Sequence, residues 1–448
     1  MEGKSVVNKS VDNNVKERKK ISTKTAFDFH NLIIPFLKEL NIKAVAIDIG
    51  YNGLKVYSIY GRHLVPSLPI KMGKANRLDI STIGSNPTDI LYKDENDFVW
   101  FIGDLAKEMI DSGKKTYNYD ILYGRNRTTT PEYKVLLRTG MALSLIENMD
   151  NLKKPNYKIT SDNLKVMTGL PEDWMNDKDK LINVFSGSHK FSIKIGNSGW
   201  IPVSFELNQT SEKDVFVMSQ PKGTIFSLAT SVYGEIIKPE LLLTNNVLVF
   251  DGGFGTNDIY YMKKGQKASS TSFTDNAMFE VYKATCSDIL EGTKNLREVR
   301  VYEIDKYIES NYTVPYQETD DKGKLNKYTF DFKEAIDKNI EEFAGDAFER
   351  MSNLYEGFQD VDYVICTGGT GEAYHPHFER DIPTNVILAE NLDSKNPAEN
   401  FTPVYSNAIG FFCNLVGTLK KLYYKNSREN EAVKEVASTS EKTEKVKK

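Results

Sequence analysis

The sequence predicts an α/β protein built twice on one plan, with the two copies flanking a ligand cleft. Three observations carry this. AVAIDIGYNGLKVYSI (Ala44 to Ile59) and VLVFDGGFGTNDIYYM (Val247 to Met262) share one design: a short β-branched strand, an Asp-x-Gly turn and a second alternating strand. Asp48 aligns with Asp251, Gly50 with Gly253, Gly53 with Thr256, Val56 with Ile259 and Tyr57 with Tyr260, all at one offset close to half the chain. A single recurrence at that distance is a duplicated domain rather than a solenoid, whose repeats run about 20–50 residues. Finally, strands ending in glycine-rich turns come from both halves, which is what a cleft between domains needs.

The chain has 448 residues, room for two or three domains of roughly 100–200 residues and a sizeable core. Its 58 Lys and Arg against 62 Asp and Glu give a net charge of −4. That balance argues against the broad basic footprint of a direct nucleic-acid binder, so a DNA partner would be reached indirectly, through another protein. Cys286, Cys366 and Cys413 lie far apart with no C-x-x-C pair, which supports neither a disulfide framework nor a cysteine zinc site. No run approaches the roughly 18 apolar residues of a membrane span, and the first thirty residues lack the apolar core of a signal peptide. The expectation is a cytoplasmic protein with no membrane partner.

Along the chain, residues 1–29 are polar and rich in Lys, Asn and Ser, and mobility is expected. From His30 to Ile42, Leu32, Ile33, Phe36, Leu37 and Leu40 fall at helical spacing, predicting a short amphipathic helix within an N-terminal extension, residues 1–43. DFVWFIGDLAKEMI runs from strand through turn to helix near Asp104. Thr130 is a plausible N-cap, with Pro131 at the first helical position and an apolar stripe through Leu136, Met141 and Leu145. Leu164 to Trp174 begins as a buried strand that stops at Gly169 and Pro171, and DKDKLINVF resumes a helix. This reads as a crossing between domains, placing residues 44–165 and 402–424 in the first and 166–401 in the second. Phe330 to Phe358 is a long amphipathic helix, VDYVICTGGTGEAY a strand breaking into a glycine-rich turn, and residues 425–448 a charged tail with little to bury, expected to be disordered.

The turns suggest phosphate chemistry. Asp48, Gly50, Asn52 and Gly53 would leave backbone N–H groups free and let phosphate oxygens approach without a Cβ clash. Lys55, two residues on, could return a point charge to the same phosphates. Asp251 ends an apolar strand, where a bare carboxylate is costly unless a cation or donors meet it; water-mediated Mg²⁺ would do so. Other nucleotide motifs fail: there is no G-x-x-x-x-G-K-[ST], and Tyr374 occupies the last position of a would-be G-x-G-x-x-G. His375 and His377 are close but lack a matching acidic or cysteine cluster.

The ordered set DIGYNGLK, DGGFGTND and ICTGGTGEAY is similar to the phosphate 1, phosphate 2 and adenosine motifs of the actin, sugar-kinase and heat-shock-chaperone superfamily. Within it the chain resembles the bacterial actin-like plasmid-segregation proteins of the ParM type. VPSLPIKMG, DFVWFIGDLAKE, EYKVLLRTGMALSLI, VMTGLP and YSNAIGFF resemble pieces of that subgroup in order, and the resemblance covers roughly residues 44–424. It implies duplicated actin-like (ribonuclease H-like) domains around a nucleotide cleft. By position it implies that Asp48, Gly50, Tyr51, Asn52, Gly53 and Lys55 hold the β/γ-phosphates. Asp251, Gly252, Gly253, Phe254, Gly255 and Thr256 would clasp them from the other domain, with Asp48 and Asp251 holding Mg²⁺ through water and Asp251 needed for turnover. Gly368, Gly369 and Thr370 would make room for the adenosine. Glu172 is the implied water-orienting residue and Asp173 its rival, although the subgroup's spacing lands on Trp174. The implied activity is an ATPase, with GTP as the alternative nucleotide, whose filaments segregate plasmid or similar DNA. Its implied partners are further copies of itself and a DNA-binding adaptor. A small-molecule kinase or phosphatase and a non-hydrolysing nucleotide-binding scaffold are the competing readings. The extension before Ala44 departs from the family, whose chains usually start almost at the first strand.

Overall fold

A computed structural model describes residues 23–79, 84–118, 121, 124–208 and 213–445, with 426–445 described by backbone alone. The chain begins with β1 (Ala26–Phe29), α1 (Pro35–Glu39), β2 (Lys43–Ile49), β3 (Gly53–Ser58) and β4 (Gly61–Pro66). β5 (Pro69–Lys74), β6 (Ile90–Lys93), β7 (Phe98–Ile102), α2 (Asp104–Asp111), α3 (Pro131–Ser144) and β8 (Ile159–Ser161) follow. Next come β9 (Leu164–Leu170), α4 (Lys178–Phe185), β10 (Gly187–Ile195), β11 (Ile201–Leu207), β12 (Val215–Ser219) and α5 (Gln220–Ala229). The second half holds α6 (Pro239–Leu243), β13 (Asn246–Gly252), β14 (Asn257–Lys263), β15 (Gln266–Phe273), α7 (Met278–Gly292) and α8 (Ile304–Glu309). It continues through β16 (Thr313–Thr319), β17 (Leu325–Asp331), α9 (Lys333–Leu354), β18 (Tyr363–Thr367), α10 (Gly368–Asp381), β19 (Asn385–Leu388) and α11 (Ser406–Lys445).

The duplication is visible in strand order and direction. In the first sheet, β4, β3 and β2 form an antiparallel meander, and β9 then β12 continue it in parallel. In the second, β15, β14 and β13 form the meander, with β18 then β19 in parallel. β2 and β13 each have a parallel neighbour and helices over their faces, which is why AVAI and VLVF are almost wholly apolar. The first half also carries an outer sheet, β5-β7-β6-β10-β11-β8, and the second a hairpin, β16-β17.

One face of the first sheet, Val45, Ile47, Leu54 and Val56, packs with Leu136 and Met141 of α3. On the other face, Ala46 and Tyr57 join a core shared with Val247, Val249 and Tyr260 of the second sheet, together with α5 and α11. The chain leaves the first half through α5 and returns through α11, which lies on β2, β3 and β9 and crosses α5. That crossing depends on Gly223 and Gly410: a Cβ on Gly410 would overlap the Gly223 carbonyl oxygen. Thr130 caps α3 as expected, its Oγ1 accepting from Tyr133 N at 3.2 Å.

Four expectations need correction. The division at 165/166 cuts through β9, which pairs with β2 (Ile47 opposite Thr168) and with β12 (Val217 opposite Thr168), so the first sheet ends only at Ser219. Residues 23–29 are not loose: β1 adds an edge strand to β4, setting Phe27 opposite His63. The expected helix from His30 to Ile42 shrinks to Pro35–Glu39, because Pro35 starts the helix and holds Ile34 extended; Ile33 is left 60% exposed while Leu32, Ile34 and Leu37 are buried. The tail expected to be disordered continues α11 through Lys445, in keeping with its supply of strong helix formers. Residues 1–22 and 446–448, with the mobility expected there, lie outside the described residues. Among the described residues no helix is long and apolar enough to cross a membrane.

Candidate active site

The two repeated turns close in the same way. Gly50 N donates to Gly53 O at 2.9 Å, and Gly253 N to Thr256 O at 2.8 Å. A Cβ on Gly253 would sit 2.8 Å from Thr256 O, so the second turn itself needs glycine there, while one on Gly50 would meet Lys55 Nζ at 2.7 Å and Gly53 O at 3.2 Å. The turns line a cleft of about 260 Å³, to which Asp48, Gly50, Tyr51, Asn52, Gly53 and Lys55 contribute from one side. Asp251, Gly252, Gly253, Phe254 and Thr256 contribute from the other, and Gly368, Gly369 and Thr370 from the end of β18. Gly255 instead lines an adjoining cavity of about 670 Å³ that shares Thr23, Tyr51, Asn52, Phe254 and Tyr282 with the cleft.

The glycine-rich turn expected after β18 is the first turn of α10. Gly368 has φ +74°, and a Cβ there would overlap the Gly252 carbonyl oxygen. Thr370 Oγ1 donates to Gly253 O at 2.6 Å. Helix α10 is thereby pinned end-on against the second turn, and its first residues line the cleft, a setting that favours an anion.

Charge is distributed unequally over the two walls. Asp48 is 2% exposed; its Oδ2 accepts from Lys55 Nζ at 3.1 Å and its Oδ1 from Gln220 Nε2 at 2.8 Å. Asp251 accepts from Asn407 Nδ2 at 2.9 Å and has no cation in contact among the described residues. Its cross-strand partner is Asp258, whereas that of Asp48 is Lys55. Burial, reinforced by the like charges of Asp258 and Asp48, pushes the Asp251 carboxyl up to about 7 against the opposing pull of Asn407 and Lys55. Burial also raises Asp258, which accepts from Ser272 Oγ at 2.5 Å.

Residues 46–223 match a family model described as "Actin like proteins N terminal domain". The match ends just past β12, where the first sheet is complete. Among solved structures, the chain is similar to a ParM from a 15-stranded filament of Clostridium botulinum, at 20% identity over 83% of this chain and 97% of that one, TM-score 0.58. The actin-like protein Alp7A is similar over 87% of this chain and all of its own, at 15% identity and TM-score 0.60. The archaeal actin homologue Ta0583 is similar at 14% identity over 83% of this chain and 98% of its own, TM-score 0.54. The fold is actin-like. No curated protein matches the sequence.

The actin-like cleft does not include Glu172. Glu172 follows β9 in a 3-10 turn, and its carboxylate pairs with Lys267 of β15 at 3.0 Å; Asp173 accepts from Ser270 Oγ at 2.8 Å. Both side chains tie the first half to the edge of the second sheet, and only Pro171 of this loop reaches the cleft. Gln220, Asn407 and Asp258 line it instead and were missed. Gln220 directly follows the last parallel strand of the first sheet, a position where ligands of open α/β sheets gather, but finding it needed the correct strand order. Asp258 was legible: it stands at the repeat offset from Lys55.

The N-terminal extension also reaches the cleft. Asn52 Nδ2 donates to Thr23 Oγ1 at 2.9 Å, and Lys24 pairs with Glu309 of α8 at 2.9 Å, so the segment ahead of β1 spans from the first turn to the second half.

Proposed function

We propose that the actin-like chain binds ATP with Mg²⁺ in this cleft, hydrolyses it, and assembles head to tail into filaments whose lifetime the nucleotide sets. The observation that carries this is the pair of glycine turns, closed by the same hydrogen bond and facing each other across a cleft rich in carboxylates. The Gly50 and Gly253 N–H groups, expected to be free, are spent closing their own turns, so other N–H groups of the turns and those at the start of α10 would take phosphate oxygens, with Lys55 adding a positive charge. Among the described residues no group of three or more His, Cys, Asp or Glu could cage a metal alone, but the hard oxygens of Asp48 and Asp251 suit Mg²⁺ held through water and phosphate. Bound there, the ion would neutralise phosphate charge. Asp251 must be deprotonated to contribute. Gln220, fixed by Asp48, can orient an attacking water but cannot take its proton, which suits a reaction governed by positioning. The pairing of Glu172 with Lys267 favours Gln220 over Glu172 for this role.

Head-to-tail contacts are heterologous and do not close, so they generate filaments; a solved relative is itself a ParM filament. With a net charge of −4, the chain supplies little phosphate neutralisation, so carriage of plasmid or similar DNA in the cytoplasm would run through a separate DNA-binding adaptor. GTP remains the alternative nucleotide. Light scattering and phosphate release, followed together after adding Mg-ATP, test the proposal. Both should rise. Release without scattering favours a small-molecule kinase or phosphatase, and scattering without release a non-hydrolysing scaffold.

A further inference from the structure

Among the described residues three cationic side chains are buried: Arg127, Arg138 and Lys165. Two are matched. Arg138 bonds Glu95 at 2.6 Å, Tyr92 at 2.8 Å and His189 at 3.2 Å, and Lys165 pairs with Asp214 at 2.6 Å. Arg127 is 4% exposed, sits in the 3-10 turn Arg125–Thr129 ahead of α3, and lines the cleft. Its guanidinium lies 4.6 Å from the Tyr51 ring centre and 5.7 Å from that of Trp174, and its Nε has no hydrogen-bond partner.

Arginine cannot shed its proton in a protein, and a buried charge without a counter-ion is costly. Stacking on two rings offsets part of that and holds the fork flat. It leaves Nε without an acceptor, and among the described residues no carboxylate forms an ion pair with the guanidinium. Lys55, the other cation of the cleft, is already engaged by Asp48. The position also says which anion would fit. Arg127 packs on Tyr51, within the first turn, and its charge acts on Asp258 of the opposite wall. Gly368, Gly369 and Thr370 of α10, expected to make room for the nucleoside, line the same cleft. A triphosphate lying between the turns with its nucleoside toward α10 would bring its terminal phosphoryl group toward Arg127.

We infer that Arg127 binds the terminal phosphate of a nucleoside triphosphate and sets the preference of the cleft for triphosphate over diphosphate. This rests on the nucleotide reading above. A planar fork gives two parallel hydrogen bonds to phosphate, which a point charge does not. On this reading a diphosphate, lacking the terminal group, would not use it.

The test compares Mg-ATP and Mg-ADP affinities of the full chain with those of Arg127→Met, which keeps bulk, and Arg127→Lys, which keeps charge. Loss of a charge-assisted pair should weaken ATP binding about tenfold or more in Arg127→Met while ADP changes less than about twofold. Arg127→Lys should fall between. Trp174 supplies a second readout in the parent: ATP should draw the guanidinium off its ring and change its fluorescence, ADP should not, and Trp174→Phe should remove the signal. That readout decides the matter even where Arg127→Met fails to fold. A parent that binds both nucleotides equally, variants that keep the parent's ratio, or variants that lose both affinities in step would each overturn the inference while leaving nucleotide binding intact. A parent that binds neither nucleotide overturns the nucleotide reading and this inference with it.

Discussion

The hairpins β2-β3 and β13-β14 match in strand direction, register and turn, and among their aligned cross-strand pairs one is charged in both and differs in the sign of its charges. In the first, Asp48 faces Lys55; in the second, Asp251 faces Asp258 at the equivalent places. Opposite charges across a strand pair stabilise it and like charges do the reverse. The first wall is therefore electrically complete, with Asp48 bonded by Lys55 and Gln220. The second holds two crowded carboxyls, one raised to about 7. Duplication has kept the backbone that makes the turns and altered the charge that decides what each wall needs. One wall carries its own cation, and the other calls for one from the ligand.

The sharpest way to break this comparison is to empty the second wall. Asp251→Ala should reduce phosphate release by about two orders of magnitude or more, the scale of losing a key electrostatic group. Unchanged release would mean that the acid pair has no part in turnover. Gln220→Ala should slow release about tenfold or more while leaving ATP affinity near the parent's, because it deletes only water positioning. Glu172→Ala, removed from the cleft by Lys267, should release phosphate at the parent's rate; the opposite pattern returns the role to the loop after β9. On the first wall, Lys55→Ala should weaken ATP binding about tenfold, the size of a lost charged contact. Equal affinity would make Lys55 merely the partner of Asp48.

The smallest effect concerns protons. Burial raises Asp251 from its ordinary 3.8 to about 7, so the ligand-free fold favours its protonated form. Stability from this group is complete below about pH 4 and is lost as pH rises through about 7. Binding of Mg-ATP, which needs the ionised form, should run the other way and weaken as pH falls through about 7, by at most about tenfold per pH unit. Asp258→Asn removes one of the like charges and should move that midpoint to lower pH. A midpoint that stays in place would show that burial alone sets it.

The duplication and both turns were legible because they are local: an apolar run, an Asp-x-Gly turn and an alternating return carry their own register. What escaped was pairing at a distance. Leu164–Leu170 reads as a buried strand, but nothing within it says that it joins β2, and misplacing it hid Gln220 at the end of β12. β1 reads AFDF, an alternation too short to mark a strand; it pairs because the free edge of β4 is available beside it. The length of α11 was missed for another reason, since composition that lacks apolar residues argues against a core but not against a helix. Asp258 needed only the repeat read at the position of Lys55, between the aligned Thr256 and Ile259.

Calorimetry of Mg-ATP binding at pH 7, in buffers of different ionisation heat, tests the central claim most directly, because it reads binding and the proton on Asp251 in one titration. With that carboxyl pushed up to about 7, the parent should release a fraction of a proton on binding, and Asp251→Asn should not. Binding with the same proton release in parent and Asp251→Asn, or no binding at all, would contradict the account.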